Sequence, residues 1–117
     1  MRVLRWIPAI VWLLLITLVS LRPGDKLPQI DLWQIDKIAH LGFYLIFVVL
    51  LRFGSKDDGG FFTSFSFLLL SAIHGVAIEL LQENFVELRR FDIYDIVADV
   101  AGAILGLIIP RKWLNKK

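Results

Sequence analysis

Four apolar blocks alternate with short polar stretches along this chain. They are WIPAIVWLLLITLVSL (residues 6–21, lengthened upstream by Val3 and Leu4), IAHLGFYLIFVVLL (38–51), GGFFTSFSFLLLSAIHGVAI (59–78) and IYDIVADVAGAILGLII (93–109). A helix that crosses a bilayer needs about 20 mostly apolar residues, within a range of roughly 17–25. With their polar flanks the blocks predict four helices over about 3–21, 36–52, 59–81 and 92–110. Pro23-Gly24 breaks the first of them. Arg2 and Arg5 precede the first block as in a signal peptide, but its exit, LVSLRPG, lacks a small-x-small cleavage site, so it reads as a retained span. Leu27, Ile30, Leu32 and Trp33, in the connection 22–35, suit a segment lying in the interface. The expected fold class is all-α, a four-helix transmembrane bundle forming one integral-membrane domain over residues 1–117.

Composition agrees with the pattern. Hydrophobic residues make up 57% of the 117, against roughly 45–50% in ordinary soluble chains. Cysteine is absent, which excludes disulfides, thiolate metal sites and cysteine nucleophiles. The net charge is +2 and no basic run carries interleaved aromatics, so a nucleic-acid partner is not expected.

Charge also orients the helices. Four spans put both termini on one side. That side and the middle turn hold Arg2, Arg5, Arg52, Lys56, Arg111, Lys112, Lys116 and Lys117, whereas the opposite ends hold Arg22, Lys26, Lys37, Arg89 and Arg90. The excess of basic residues predicts cytoplasmic termini. Only Asp57 and Asp58 among the acids fall on the cytoplasmic side; the rest gather at the outer ends.

This topology brings three polar groups to one level. They are Asp36, Lys37, His40 and Tyr44 at the start of the second span, Glu79, Gln82 and Glu83 at the end of the third, and Asp92, Asp95 and Asp99 at the start of the fourth. Arg89-Arg90 stands beside them. At 100° per residue, Asp36, His40 and Tyr44 fall within an arc of about 80°, as do Asp92, Asp95, Asp99, Gly102 and Gly106. The second arc continues into a small-residue stripe, Ala98, Gly102 and Gly106, of the kind that lets helices approach closely in lipid. Charges facing lipid are costly, so the aspartates are expected to look inward, into an outward-opening polar pocket. Two helix N-termini would point into it and favour anions.

Some of these residues have plainer roles. Asp36 and Asp92 sit where N-caps belong, and Asp92 with Asp95 resembles a capping box. His74 lies roughly 140° around its helix from Glu79 and suits packing or hydrogen bonding. Without an H-E-x-x-H motif or a second histidine at i+3 or i+4, no bound metal and no cofactor are expected.

The ordered set of Asp36, Lys37, His40 and Tyr44, then Glu79 and Gln82, then Arg89, Asp95, Asp99, Gly102 and Gly106 resembles the VanZ-like family of small membrane proteins. The resemblance covers residues 36 to about 109. Asp99 stands where the family usually has asparagine, so a neutral amide donor is replaced by a carboxyl group. The resemblance implies a multi-pass protein of the bacterial cytoplasmic (inner) membrane. The family is named for a protein that accompanies glycopeptide-antibiotic resistance, specifically to teicoplanin, which has a lipid tail.

Two functions compete. In one, the pocket binds or modifies a lipid head group, a lipid-linked cell-wall intermediate or a lipidated glycopeptide. His40 with Asp36 or Glu79 would then be the acid/base pair, and Lys37, Tyr44, Gln82, Arg89, Asp95 and Asp99 would contact substrate. The residues leave enzyme and binder open. In the other, the chain is a membrane scaffold whose polar set joins its helices and which acts through a partner protein. A proton-coupled transporter fits less well, because the inner halves lack matching polar residues; a homodimer would supply the missing half.

Overall fold

The computed structural model describes residues 2–21, 32–55, 60–86 and 91–114, and is helical through nearly all of them. A 3-10 turn, Arg2–Trp6, leads into α1 (Ile7–Ser20). Then follow α2 (Leu32–Ser55), α3 (Gly60–Phe85), α4 (Ile93–Ile108) and a one-turn α5 (Arg111–Leu114). Three stretches are long and apolar enough to cross a membrane: Val3–Ser20, Lys37–Ser55 and Gly60–Phe85. The fourth expected helix is shorter. It stops at Ile108 after 16 residues, and Pro110 separates it from α5.

Helix boundaries differ from the expected ones where no breaker intervenes. Helix α2 starts at Leu32, so Leu32 and Trp33 are helical and do not belong to a loop. Asp36 therefore lies inside α2 and is not its N-cap; its side chain, like residues 22–31, lies outside the described residues. At the other end α2 runs on to Ser55, into the expected turn. Trp6 lies over Gly54 there, its Cε3 only 2.6 Å from where a Cβ would stand, so that close approach requires glycine.

Cross-helix bonds give the directions. Trp12 Nε1 donates to the Phe43 carbonyl at 2.9 Å and Arg5 Nη2 to the Phe53 carbonyl at 2.8 Å, so α1 and α2 run antiparallel. Along α2 and α4 the partners rise together, from Lys37 with Asp95 to Arg52 with Gly106, so these helices are parallel. Along α3 and α4 they run oppositely, Glu79 meeting Asp92 and Gly75 meeting Asp99. The four longer helices thus alternate in direction.

The packing is inverted relative to a soluble protein. Ile10, Leu14, Leu18, Phe61, Phe62, Ile73, Val97 and Ile108 are exposed, while His40, Arg52, Glu79, Gln82, Asp95 and Asp99 are buried. Soluble folds almost never bury so many ionisable groups while exposing so much apolar surface. In lipid the economy reverses: apolar side chains face hydrocarbon and polar ones must find partners inside. This is the organisation of a membrane protein. A smaller apolar core, Ala9, Ile16, Tyr44, Phe47 and Leu51, joins α1 to α2.

At the end of the molecule opposite the acids, Arg52 is buried between helices. Its Nη1 donates to the carbonyls of Gly106 (2.8 Å) and Ile109 (2.6 Å). Gly106 lies in the last turn of α4 and Ile109 is its C-cap; carbonyls there have no intrahelical partner, and a cation also suits the negative end of the helix dipole.

Candidate functional site

The site begins with two glycines. A Cβ on Gly102 would collide with the Leu41 carbonyl, and one on Gly106 would stand 2.8 Å from the Leu45 carbonyl. Both contacts are with α2 backbone, so the small-residue stripe of α4 seats that helix directly on α2. This approach brings Asp99, one helical turn before Gly102, into hydrogen-bond range of His40, the residue before Leu41. His40 Nδ1 lies 2.7 Å from Asp99 Oδ1, with both side chains buried. With Asp99 ionised, Nδ1 donates to it, and the other ring nitrogen turns towards α3 and α4. That nitrogen, Nε2, stands 3.8 Å from Asp95 Oδ2.

Asp95 reaches Lys37 as well as His40. Its other oxygen, Oδ1, takes the Lys37 ammonium at 2.5 Å, and Lys37 Nζ also reaches Asp92 Oδ2 at 2.7 Å. Lys37 is therefore committed to two carboxylates on α4 and does not offer an unpaired charge at the rim. Asp92 is the expected N-cap: its Oδ1 accepts from the Tyr94 N–H at 2.9 Å. The capping box with Asp95 does not form, because the Asp92 N–H donates to Glu79 Oε1 at 2.9 Å. A carboxylate from α3 completes the cap of α4, leaving Asp95 for Lys37 and His40.

Glu79 is fully buried. Its second oxygen, Oε2, is buried with no hydrogen-bond donor among the described residues. One donor atom each from His40, Glu79 and Asp95 lie within 4.8 Å of one another. Gly75 makes room for this group from α3: a Cβ there would occupy the place of Asp99 Oδ2. Among the described residues the cluster holds four carboxyl groups, Glu79, Asp92, Asp95 and Asp99, against one lysine and one histidine. Acceptors therefore outnumber donors, and the site is suited to a hydroxyl, an amine, a proton or a cation.

Other expected site residues make hydrogen bonds outside this centre. Tyr44 is fully buried, and its hydroxyl pairs with His74 Nδ1 at 2.7 Å. His74 Nε2 meets Thr17 Oγ1 at 3.1 Å, so Tyr44, His74 and Thr17 form a chain across α2, α3 and α1. Gln82 donates to the Ser20 carbonyl at 2.6 Å and ties the end of α3 to the end of α1. Glu83 is exposed. Arg89 and Arg90 lie outside the described residues, as does the side chain of Asp36. Of the two helix N-termini expected to favour anions, that of α4 lies at the cluster but is capped by the carboxylates of Asp92 and Glu79, whereas α2 begins five residues before Lys37, about 7.5 Å earlier.

Two contributors were not singled out as site residues. Asp92, expected on the inward polar arc as well as at the cap, serves as both cap and lysine partner; its spacing three residues before Asp95 is the available signal. Gly75 left none, since a glycine facing an acid on another helix is invisible along one chain.

Compared with known proteins, residues 4–114 match the family model described as VanZ/LLP1. No curated protein and no solved structure shows a significant match.

Proposed function

Since the chain belongs to the VanZ/LLP1 family, we propose that it is a four-span protein of the bacterial inner membrane, with both termini cytoplasmic. Its cluster around His40, Glu79, Asp95 and Asp99 opens to the outer face and binds or modifies the polar head of an envelope molecule. Helix α4 is the fourth span. Its 16 residues, about 24 Å long, fall short of a hydrocarbon core of about 30 Å, and the α5 turn together with Arg52 at its last carbonyls would offset the shortfall.

The observation that carries the reading is the buried cluster itself. Ionisable groups inside a membrane are costly and mark functional sites. Here they come from three helices and lie at one end, with Lys37 and Asp92 at its partly open edge. The carboxylates and imidazole suit the hydroxyl or amine groups of a head group. Anion recognition falls to Arg89 in this reading, since Lys37 is already paired. Lipids, a lipid-linked cell-wall intermediate and a lipid-tailed glycopeptide all present such heads next to an acyl chain. In a catalytic version, His40 with Glu79 would move the proton, Asp99 holding the imidazole in place.

One observation favours the scaffold alternative: Lys37, His40, Glu79 and Gln82 all bond across helices. The two readings separate under substitution. His40→Ala, Glu79→Gln, Arg89→Gln and Asp95→Asn, each checked for folding in detergent, should lose activity in an envelope-phenotype assay while retaining stable protein. Full activity in all four folded variants would remove the cluster as the site. Loss of stability and yield in step with activity would favour the scaffold.

A further inference from the structure

We infer that His40, Glu79 and Asp95 form a binding site for a divalent transition-metal ion. The inference stands apart from the head-group reading, because an ion can reside there whether or not a lipid binds.

Three observations converge. The first is the donor set: an imidazole and two carboxylates, all buried, with ligand atoms within 4.8 Å of one another. Ligands about 2.0–2.2 Å from a shared ion stand at most about 4.4 Å apart, so only a small inward movement is required.

The second is the orientation of the histidine. Its Nδ1 is held by Asp99 at 2.7 Å, and Nε2 is turned to Asp95. A metal-binding histidine commonly has this arrangement: a carboxylate on one ring nitrogen fixes the tautomer and leaves the other nitrogen basic towards the ion.

The third is Glu79 Oε2, buried without a hydrogen-bond donor in a side chain that is fully enclosed. Its partner oxygen already accepts the Asp92 N–H. Facing it is Asp95, a second acceptor. Two carboxylates that approach in a site with little water need something positive between them. Lys37 takes Asp95 Oδ1 at 2.5 Å, and Asp95 Oδ2 faces His40 Nε2 at 3.8 Å. A cation between Oε2, Oδ2 and Nε2 would meet that need.

The imidazole selects the class of ion. Oxygen-only sites suit Mg²⁺ and Ca²⁺, whereas a mixed imidazole–carboxylate set suits Zn²⁺, Mn²⁺ or Fe²⁺. Three protein ligands would leave a position open for water or for an oxygen of a bound molecule. Such a site has no signature along the chain, because its ligands come one each from α2, α3 and α4, with no shared local spacing.

The test uses the full chain in detergent, without a histidine tag, stripped with chelator and titrated with Co²⁺ and Zn²⁺. Expected is one equivalent of Co²⁺ with visible absorption typical of nitrogen and oxygen ligands, displaced by Zn²⁺. Glu79→Gln and Asp95→Asn should abolish it, and Asp99→Asn should weaken it about 10–100-fold. His74→Gln, outside the set, should leave it intact. Absence of stoichiometric binding by the folded wild type would overturn the inference and leave a proton as the counter-charge. So would binding that survives in a folded Glu79→Gln/Asp95→Asn double variant.

Discussion

His40 of α2 and Asp99 of α4 meet at 2.7 Å because Gly102, one turn further along α4, lets that helix rest on the Leu41 carbonyl. The hydrogen bond depends on the backbone contact. Gly102→Ala would force α2 and α4 apart, and overpacking of this kind costs about 1–3 kcal/mol. Thermal unfolding in detergent should show that loss. Crosslinking between cysteines placed on α2 and α4 should fall with it.

Lys37 and Asp95 form a largely buried pair, with side-chain exposures of 14% and 3%. Removing the lysine leaves the buried Asp95 charge uncompensated, at a cost of about 3–5 kcal/mol, whereas Lys37 keeps Asp92 when the Asp95 charge is removed. Lys37→Met should therefore destabilise strongly. Lys37→Met combined with Asp95→Asn should recover part of the loss, because the orphaned charge goes too. Chemical or thermal unfolding of the four proteins of this cycle checks it; strict additivity would deny the coupling.

Tyr44 spends its hydroxyl on His74. Tyr44→Phe should lower stability by about 0.6–1.7 kcal/mol, the range of hydrogen bonds between membrane helices. It should leave the phenotype of the protein unchanged, since the cluster keeps its other bonds. Lost activity at normal stability would restore Tyr44 to the site.

The proposed topology is testable by labelling, helped by a chain that lacks cysteine. Single cysteines at positions 3 and 113 should react with an impermeant thiol reagent only after the inner membrane is opened. A cysteine at position 91 should react from outside. Labelling of positions 3 and 113 from opposite faces would rule out an even number of crossings.

Much of this arrangement is visible along the chain, because a membrane constrains sequence tightly. The apolar blocks give the helices, and periodicity gives the face on which Asp95, Asp99, Gly102 and Gly106 lie together. Alternating direction then sets His40, Glu79 and Asp95 at one level, where the structure has them. Periodicity does not reveal which atom meets which. It could not show that Glu79 caps α4, displacing Asp95 from that role, or that Tyr44 turns to His74. Arg52 was read as a topological charge, and only the end of α4 packed beside it explains its burial. The start of α2 was missed because Leu32 and Trp33 fit an interfacial loop as well as a helix.

The most direct test of the proposed function is mass spectrometry of what accompanies the purified protein. The wild-type chain, extracted gently from bacterial membranes and supplied with teicoplanin in a parallel sample, should retain one class of lipid, lipid-linked intermediate or lipoglycopeptide. Folded Asp95→Asn and Glu79→Gln variants should lose it. The same bulk lipids on wild type and variants alike, with no species selected by the cluster, would contradict a head-group site.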